Sequence, residues 1–158
     1  METLIVQPKL GAQFLSGYAE LSEKLGGRKL LGKEIQNDYD LFDVLETGLT
    51  KTVFLHVKKF TGLNLSTLGR ICNVTPRNIQ LKDEDYHFDA QISEILIDLT
   101  DLFIIGVRIF STNTAFIEWM VQPLQTLDNK EPISLLVNVV GRKMVKEELI
   151  MFATGVYR

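Results

Sequence analysis

The stretch from Asp89 to Phe110 constrains the fold most, because it predicts one long helix. Its apolar residues recur with helical spacing, and those on one side are Ile92, Ile95, Leu96, Leu99, Leu102, Phe103 and Phe110. On the other side, Ile104, Ile105 and Ile109 provide more apolar surface than a helix packed on one face needs. We therefore expect this helix either at the centre of the fold or in a homodimer interface.

Shorter amphipathic segments precede it, each bounded by residues that start or stop helices. A first helix with Phe14, Tyr18, Leu21 and Leu25 is expected to end in a turn at Gly26-Gly27. Asp38 or Asp40 caps a second helix, which holds Leu41, Phe42, Val44 and Leu45 and ends at Gly48. Thr50 caps a third, which holds Val53, Phe54, Val57 and Phe60 and ends at Gly62. Asn64 or Ser66 opens a fourth, and Thr75-Pro76 marks a fifth.

Three more helices are predicted after the long one. Residues 111–114 supply caps for a helix through Phe116, Ile117 and Trp119, which must end before Pro123. Pro132 starts another helix through Leu135, Leu136 and Val139. The last runs from about Gly141 to Thr154, and we expect it to bury Met144, Val145, Leu149 and Phe152. No segment reads as a strand, so the predicted fold class is all-α, a helical bundle.

Composition is that of a globular protein, with 46% hydrophobic and 23% charged residues in 158. A single cysteine, Cys72, excludes a disulfide within the chain and fits a reducing cytoplasm. Met1 is followed by Glu2 without an apolar run, so we expect no signal peptide. The long apolar helix contains Glu94, Asp98, Asp101 and Arg108, which argues against a membrane span. The expected location is the cytoplasm.

A helix-turn-helix pattern lies in the most basic part of the chain. From Lys51 to Lys82 there are six basic residues and no Asp or Glu, so this segment carries +6 and the remainder −9 of the net −3. Gly69 is small enough for two helices to cross, and Asn73 tolerates the positive φ of a tight turn. The apolar residues expected between the two helices are Leu68, Ile71, Val74 and Ile79.

The second helix of this pattern leaves polar side chains that can face a DNA major groove. They are Thr75, Arg77, Asn78, Gln80 and Lys82. Arg, Asn and Gln can make bidentate contacts to guanine and adenine, so we predict that this helix binds operator DNA. Because acidic residues follow at 83–85 and 89, we expect modest, salt-sensitive binding. A helical hairpin that binds nothing is the alternative.

No residue pattern indicates catalysis, a metal site or a cofactor. His56 and His87 lie in different predicted elements, and neither has a second ligand at metal-binding spacing. The acidic run from Asp83 to Glu94 matches a calcium-loop register, but Phe88 occupies the position that requires glycine. No Ser or Cys nucleophile has a recognisable base. We therefore expect that the protein is not an enzyme and that it holds no metal or cofactor.

The second half of the chain carries an ordered series of residues that is more specific. It consists of Phe110, Trp119, Pro123, Leu127, Pro132, Leu135-Leu136, Gly141, Val145, Leu149 and Gly155-Val156. In order and spacing it resembles the toxin-binding domain of the Xre/MbcA/ParS-type bacterial antitoxins. Upstream, Gly48-Leu49 and the helix-turn-helix pattern stand where that family has its Xre-like part. The resemblance covers about residues 38–158.

The chain departs from the family pattern at several positions. Asp128-Asn129 replaces a Gly-Gly turn, which Asn can still form. Asn78-Ile79 stands where Thr-Leu is common in the helix-turn-helix. The other departures are Ser111 for Gly, Met120 for Leu, Glu131 for Thr and Thr154 for His. Residues 1–37 match no pattern of the family.

The resemblance implies a type II antitoxin that binds a RES-domain toxin, an enzyme that consumes NAD. It implies that the C-terminal residues Gly155, Val156, Tyr157 and Arg158 approach the toxin's NAD pocket. Gly155 would release the chain from the helix, while Tyr157 and Arg158 are residue types that anchor interfaces. The alternative is a frayed helix end. A homodimer that represses its own operon is also implied.

Three segments follow from this interpretation. Residues 1–37 form a helical extension of unknown role, residues 38–90 an Xre-like helix-turn-helix domain, and residues 91–158 a toxin-binding domain. Two other functions stay open. A stand-alone helix-turn-helix repressor would bind its operator tightly without a toxin. A helical adaptor would keep only a protein partner, and Arg77→Ala and Lys82→Ala would leave its affinities unchanged.

Overall fold

The computed structural model describes residues 16–155, and this part of the chain is all-α. Its helices are α1 (Tyr18–Lys24), α2 (Gly27–Leu31), α3 (Asp38–Thr47), α4 (Lys51–Thr61), α5 (Leu65–Cys72), α6 (Pro76–Leu81), α7 (Ala90–Phe110), α8 (Asn113–Met120) and α9 (Val139–Thr154). Two 3-10 turns, Gln125–Leu127 and Pro132–Leu135, connect α8 to α9. Residues 16–155 contain no strand, only isolated bridges between Thr50 and His87 and between Leu124 and Lys130. The predicted fold class is confirmed.

Side-chain caps start most of the helices. The side-chain oxygens of Thr50, Asn64, Thr75 and Asp89 each accept the backbone N–H three residues later. The caps Thr50 and Thr75 were predicted, Asn64 rather than Ser66 opens α5, and Asp89, predicted as the first residue of the long helix, is its cap. The start of α3 differs from the prediction. Asn37, and neither Asp38 nor Asp40, is its cap, since the Asn37 side chain accepts the N–H of Asp40. Asp38 and Asp40 lie in the first turn, where their charge favours the helix dipole.

α7 lies at the centre of the molecule, in contact with α1, α3, α4, α5, α8 and α9. Leu96, Leu99 and Phe103 are fully buried on one side. Ile104 and Ile105 on the other side are each only 4% exposed. The second apolar face of α7 is therefore largely covered within the chain, with Ile109 half-buried, and the predicted central position of this helix is confirmed.

One hydrophobic core holds the described helices together. Its buried residues form a single cluster that runs from Leu21 in α1 to Leu149 in α9. Phe54, Phe103 and Phe116 are its largest fully buried side chains. The division of the chain at residues 37 and 90 stays a prediction about function.

A buried ion network fastens α9 to α7. Arg142 and Lys146 of α9 both pair with Asp98 of α7, and the Lys146 ammonium also lies 3.1 Å from a carboxylate oxygen of Asp101. Asp101 is fully buried, and its other oxygen accepts the backbone N–H of Ser16 at 2.8 Å and the Ser16 hydroxyl at 2.6 Å. Each of these charged side chains lies beside one of opposite sign, which reduces the cost of burying charge.

Two side chains predicted to be buried, Met144 and Phe152, are exposed instead, and so is Phe42, which was predicted to lie in the second helix. Phe42 is 62%, Met144 40% and Phe152 43% exposed. Met144 precedes buried Val145 by one residue, which turns it about 100° away from the core around the axis of α9. Phe42 is turned away from buried Leu41 in α3 in the same manner.

Two predicted boundaries are also wrong. Gly27 begins the short helix α2 and is not only part of a turn. Pro132 opens a 3-10 turn of four residues, and Val139 belongs to α9. The break between them follows from Asn138, whose extended backbone and side-chain cap start a new helix. Phe14, predicted in the first helix, lies outside the described residues.

Candidate functional site

α5 and α6 form the first candidate surface, and a tight turn joins them. Asn73 has φ 59° and ψ 44°, and the N–H of Val74 donates to the Gly69 carbonyl at 2.8 Å. A Cβ on Gly69 would lie 2.5 Å from the carbonyl oxygen of Val74, so a larger residue would push the turn away. Gly69 and Asn73 have the local roles that the sequence predicted, while DNA binding by α6 stays a prediction.

The polar residues of α6 face outward around a buried anchor. Ile79 is fully buried beneath the helix. The exposed residues are Thr75, Arg77, Asn78 and Gln80. Lys82 is separated from them, because it follows the last residue of α6 and its ammonium lies 4.5 Å from the centre of the Tyr86 ring. Three of the five predicted DNA-binding residues, Arg77, Asn78 and Gln80, thus lie within α6, while Thr75 is its N-cap and Lys82 its C-cap.

Lys51 has a structural contact that sequence reasoning missed. Its ammonium donates to the backbone carbonyls of Gln80 at 3.3 Å and Lys82 at 2.8 Å, at the C-terminal end of α6. A cation there satisfies carbonyls that lack a helical partner and complements the helix dipole. The Lys51 charge therefore stabilises the C-terminal end of α6. Lys59, Arg70 and Arg77, in contrast, are exposed basic residues of the same segment.

The acidic loop after α6 is held against the N-terminus of α4. The backbone N–H of Lys51 donates to the Tyr86 carbonyl at 2.9 Å, and the N–H of Thr52 donates to the Glu84 carbonyl at 3.1 Å. Acidic residues at 83–85 thus lie near the positive end of the α4 dipole. They follow the C-terminal end of α6, about 9 Å of helix away from its first turn.

The same loop is not arranged as a metal site. Phe88 is only 3% exposed and belongs to the core, and the ring of His87 lies 2.9 Å from the Gly48 carbonyl through Nδ1. Among residues 16–155, no group of three or more His, Cys, Asp or Glu side chains could hold a metal ion. Within the same range, no helix has both the length and the apolar character needed to cross a membrane.

Cys72 does not offer a reactive thiol. Its side chain is buried in the core, and this burial raises the pKa of the thiol to about 12, although the Arg142 charge acts in the opposite direction. Because the thiolate is the nucleophilic form, Cys72 is unsuited to covalent chemistry at neutral pH.

The second candidate surface is an aromatic cluster, made of Phe110, Phe116, Trp119 and Phe152. The Phe110 ring stacks on Phe152 with centroids 5.0 Å apart and lies 5.6 Å from Trp119. Phe116 is fully buried beneath, whereas Trp119 is half-buried and Phe152 is 43% exposed. The cluster therefore joins the core to the surface where α7, α8 and α9 meet.

Gly106 makes this cluster possible, and sequence reasoning missed it. A Cβ there would lie 2.4 Å from the Phe116 ring, so the ring packs directly against the backbone of α7. The only signal in the sequence is a glycine inside a long helical pattern, where it costs stability and needs a packing reason.

α9 ends beside the aromatic cluster. Gly155 has φ 69° and ψ 24°, and its N–H donates to the carbonyls of Met151 and Phe152. The chain thus leaves the helix between Thr154 and Gly155, less than one turn after Phe152. Val156, Tyr157 and Arg158 lie outside the described residues, so their contact with a toxin stays a prediction.

Positions that the antitoxin pattern fills with glycine have a backbone reason in this chain. Asp128 and Asn129, which replace its Gly-Gly turn, both have positive φ, at 57° and 60°. A Cβ on Gly141 would lie 1.7 Å from the Leu135 carbonyl oxygen. On Gly48 it would lie 2.0 Å from the Phe88 carbonyl oxygen. Asp128 and Asn129 thus have left-handed backbone, Gly141 lies at a close approach of two chain segments, and Gly48 combines both, with φ 82°.

Comparison with models of known protein families and with curated proteins finds no match for this chain. The family interpretation therefore depends on the ordered residues and their geometry.

Proposed function

We propose that this protein is a type II antitoxin that binds and neutralises a RES-type, NAD-consuming toxin. The observation that carries the proposal is the backbone geometry at the glycine positions of the pattern. Asp128 and Asn129 keep the left-handed conformation where the pattern has glycine, and Gly141 has no space for a side chain. A shared local fold demands such geometry even where the residues have changed.

The proposed toxin-binding surface is the end of α9 with the residues that follow it. Phe152 and Trp119 present partly exposed aromatic surface beside Gly155, and aromatic residues are enriched among those that dominate interface energies. Gly155, Val156, Tyr157 and Arg158 extend from this surface towards the NAD pocket of the toxin. The protein acts by occupying that pocket and catalyses no reaction itself.

Autoregulation through DNA is the second part of the proposal. Arg77, Asn78 and Gln80 are exposed on α6, and their side chains suit guanine and adenine edges in a major groove. A homodimer would present two such helices to two half-sites of an operator. The acidic loop at 83–85 lies beyond the far end of α6 and would weaken, without blocking, the approach of phosphates.

The test is co-expression of the tagged protein with the product of the adjacent gene. NAD consumption by the recovered partner is measured with the full chain and with a chain that ends at Gly155. We expect a silent partner with the full chain and an active one with the truncated chain. Lys29→Ala, at an exposed position of α2, is the control and should inhibit fully. Absence of a co-purifying partner would overturn the antitoxin proposal.

A stand-alone repressor is the second candidate, and the outward-facing polar residues of α6 favour it. It requires the purified protein to bind the DNA upstream of its own reading frame tightly and without a partner. Binding that tightens on addition of the adjacent gene product would instead favour the antitoxin.

A further inference from the structure

An exposed apolar stripe runs along the outer side of α9. Val140 is 63% and Met144 40% exposed, and half-buried Met151 continues their line two turns later. The spacing of four and seven residues places all three on one side of the helix, away from buried Val145 and Leu149. Val137 and Val139, 42% and 67% exposed, extend the apolar surface at the N-terminal end of the helix.

A pair of opposite charges borders this stripe on one side. Lys143 and Glu147 lie one turn apart, with the ammonium 3.8 Å from the carboxylate, and their side chains are 77% and 59% exposed. Such an exposed pair contributes little to the stability of the helix that carries it. Lys143 precedes Val145 by two residues and Glu147 follows it by two, so the positive charge lies towards the N-terminus of α9 and the negative charge towards its C-terminus.

We infer that this stripe is the homodimer interface, in which α9 pairs antiparallel with α9 of a second copy about a twofold axis level with Val145. The axis brings Lys143 opposite Glu147 of the partner subunit and, by symmetry, Glu147 opposite Lys143 of the partner subunit. It also brings Val140 level with residue 150 of the partner subunit, next to Met151 of the partner subunit. An isologous contact requires this self-complementarity, with residue i on j and residue j on i.

Two observations favour a second copy over another occupant. The charges that border the stripe complement themselves under a twofold axis, so a second copy presents an opposite charge to each of them. The other apolar face considered for a dimer, that of Ile104 and Ile105 on α7, is buried within the chain. Because α9 spans only about 24 Å, the contact is small and we expect a dissociation constant in the micromolar range. The inference does not depend on the antitoxin proposal.

Charge reversal tests the interface by sedimentation equilibrium of the purified full chain. Lys143→Glu alone places two like-charged pairs across the axis, and so does Glu147→Lys alone. We expect each variant to raise the dimer dissociation constant about tenfold. An equimolar mixture of the two variants should recover the wild-type constant, because every cross-interface pair in the mixed dimer is again of opposite sign.

The mixture separates the interface from effects within one helix. Each variant chain keeps its own like-charged pair at 143 and 147 when mixed, so recovery can come only from contact between copies. Glu118→Lys on α8, an exposed charge reversal outside the stripe, is the control and should leave the constant unchanged. A monomeric wild type at hundreds of micromolar, or a mixture that stays as weak as its components, would overturn the inference.

Discussion

Gly141 lies where α9 packs closely against the turn that ends at Leu135, and only glycine fits there. Alanine in place of glycine inside a helix normally adds about 1 kcal/mol of stability. Here the added Cβ would overlap the Leu135 carbonyl oxygen at 1.7 Å. We therefore expect Gly141→Ala to lower the free energy of unfolding by roughly 1–3 kcal/mol, as overpacking does.

Urea unfolding followed by circular dichroism measures this change. Glu118→Ala, at an exposed position of α8 outside the proposed interface, serves as the control and should stay within about 0.5 kcal/mol of the wild type. A Gly141→Ala protein as stable as the wild type would show that the turn at Leu135 yields easily.

Individual helices show what the sequence can and cannot predict. Caps such as Thr50 and Thr75 act within three residues, so they can be predicted from the sequence without any tertiary information. The Lys51 ammonium acts on Gln80 and Lys82, about thirty residues away, and no local pattern reveals it.

One of the two candidate surfaces could be predicted from the sequence and the other could not. The exposed residues of α6 follow from helix periodicity around Ile79, so most of the first surface was predictable. The second surface was not, because the exposure of Phe152 depends on where α9 ends relative to α7 and α8. Sequence periodicity gives the side of a helix that faces the core, but not how far the neighbouring elements extend along it.

Two substitutions should distinguish a basic residue that contacts DNA from one that only stabilises the end of α6. Arg77→Met should weaken binding to the upstream DNA and reduce the slope of log K against log salt by about 1. Lys51→Met should leave that slope unchanged and should lower the free energy of unfolding by about 1 kcal/mol, because two carbonyls lose a charged donor.

Fluorescence anisotropy with a labelled duplex, over a series of salt concentrations, measures both slopes. Asn73→Gly is a suitable control, since it keeps the positive φ of the turn and changes no charge. If Lys51→Met reduces the slope as much as Arg77→Met does, the Lys51 ammonium contacts phosphate and the assignment to α6 is wrong.

For the whole molecule, the ion network ties the start of the described chain to its end. Asp101 links Ser16 before α1 to Lys146 in α9 and is fully buried. Asp101→Asn removes one buried charge and puts a neutral amide beside the Lys146 ammonium, so we expect a loss of about 3 kcal/mol in the free energy of unfolding.

The same substitution at Asp128 is the matched control. Asp128 pairs with Lys130 at 3.0 Å, but their side chains are 88% and 53% exposed, so Asp128→Asn should cost less than about 1 kcal/mol. Thermal and urea unfolding give both values. Equal effects at the two positions would mean that solvent reaches the network around Asp101.

Trp119 is the only tryptophan in the chain, and it lies in the aromatic cluster at the end of α9. In the protein alone, selective excitation of tryptophan therefore excites a single emitter, and its emission wavelength reports how much water reaches this corner of the molecule. The protein thus carries its own optical probe at the surface proposed for the toxin, and a titration without any added dye can follow occupation of that surface.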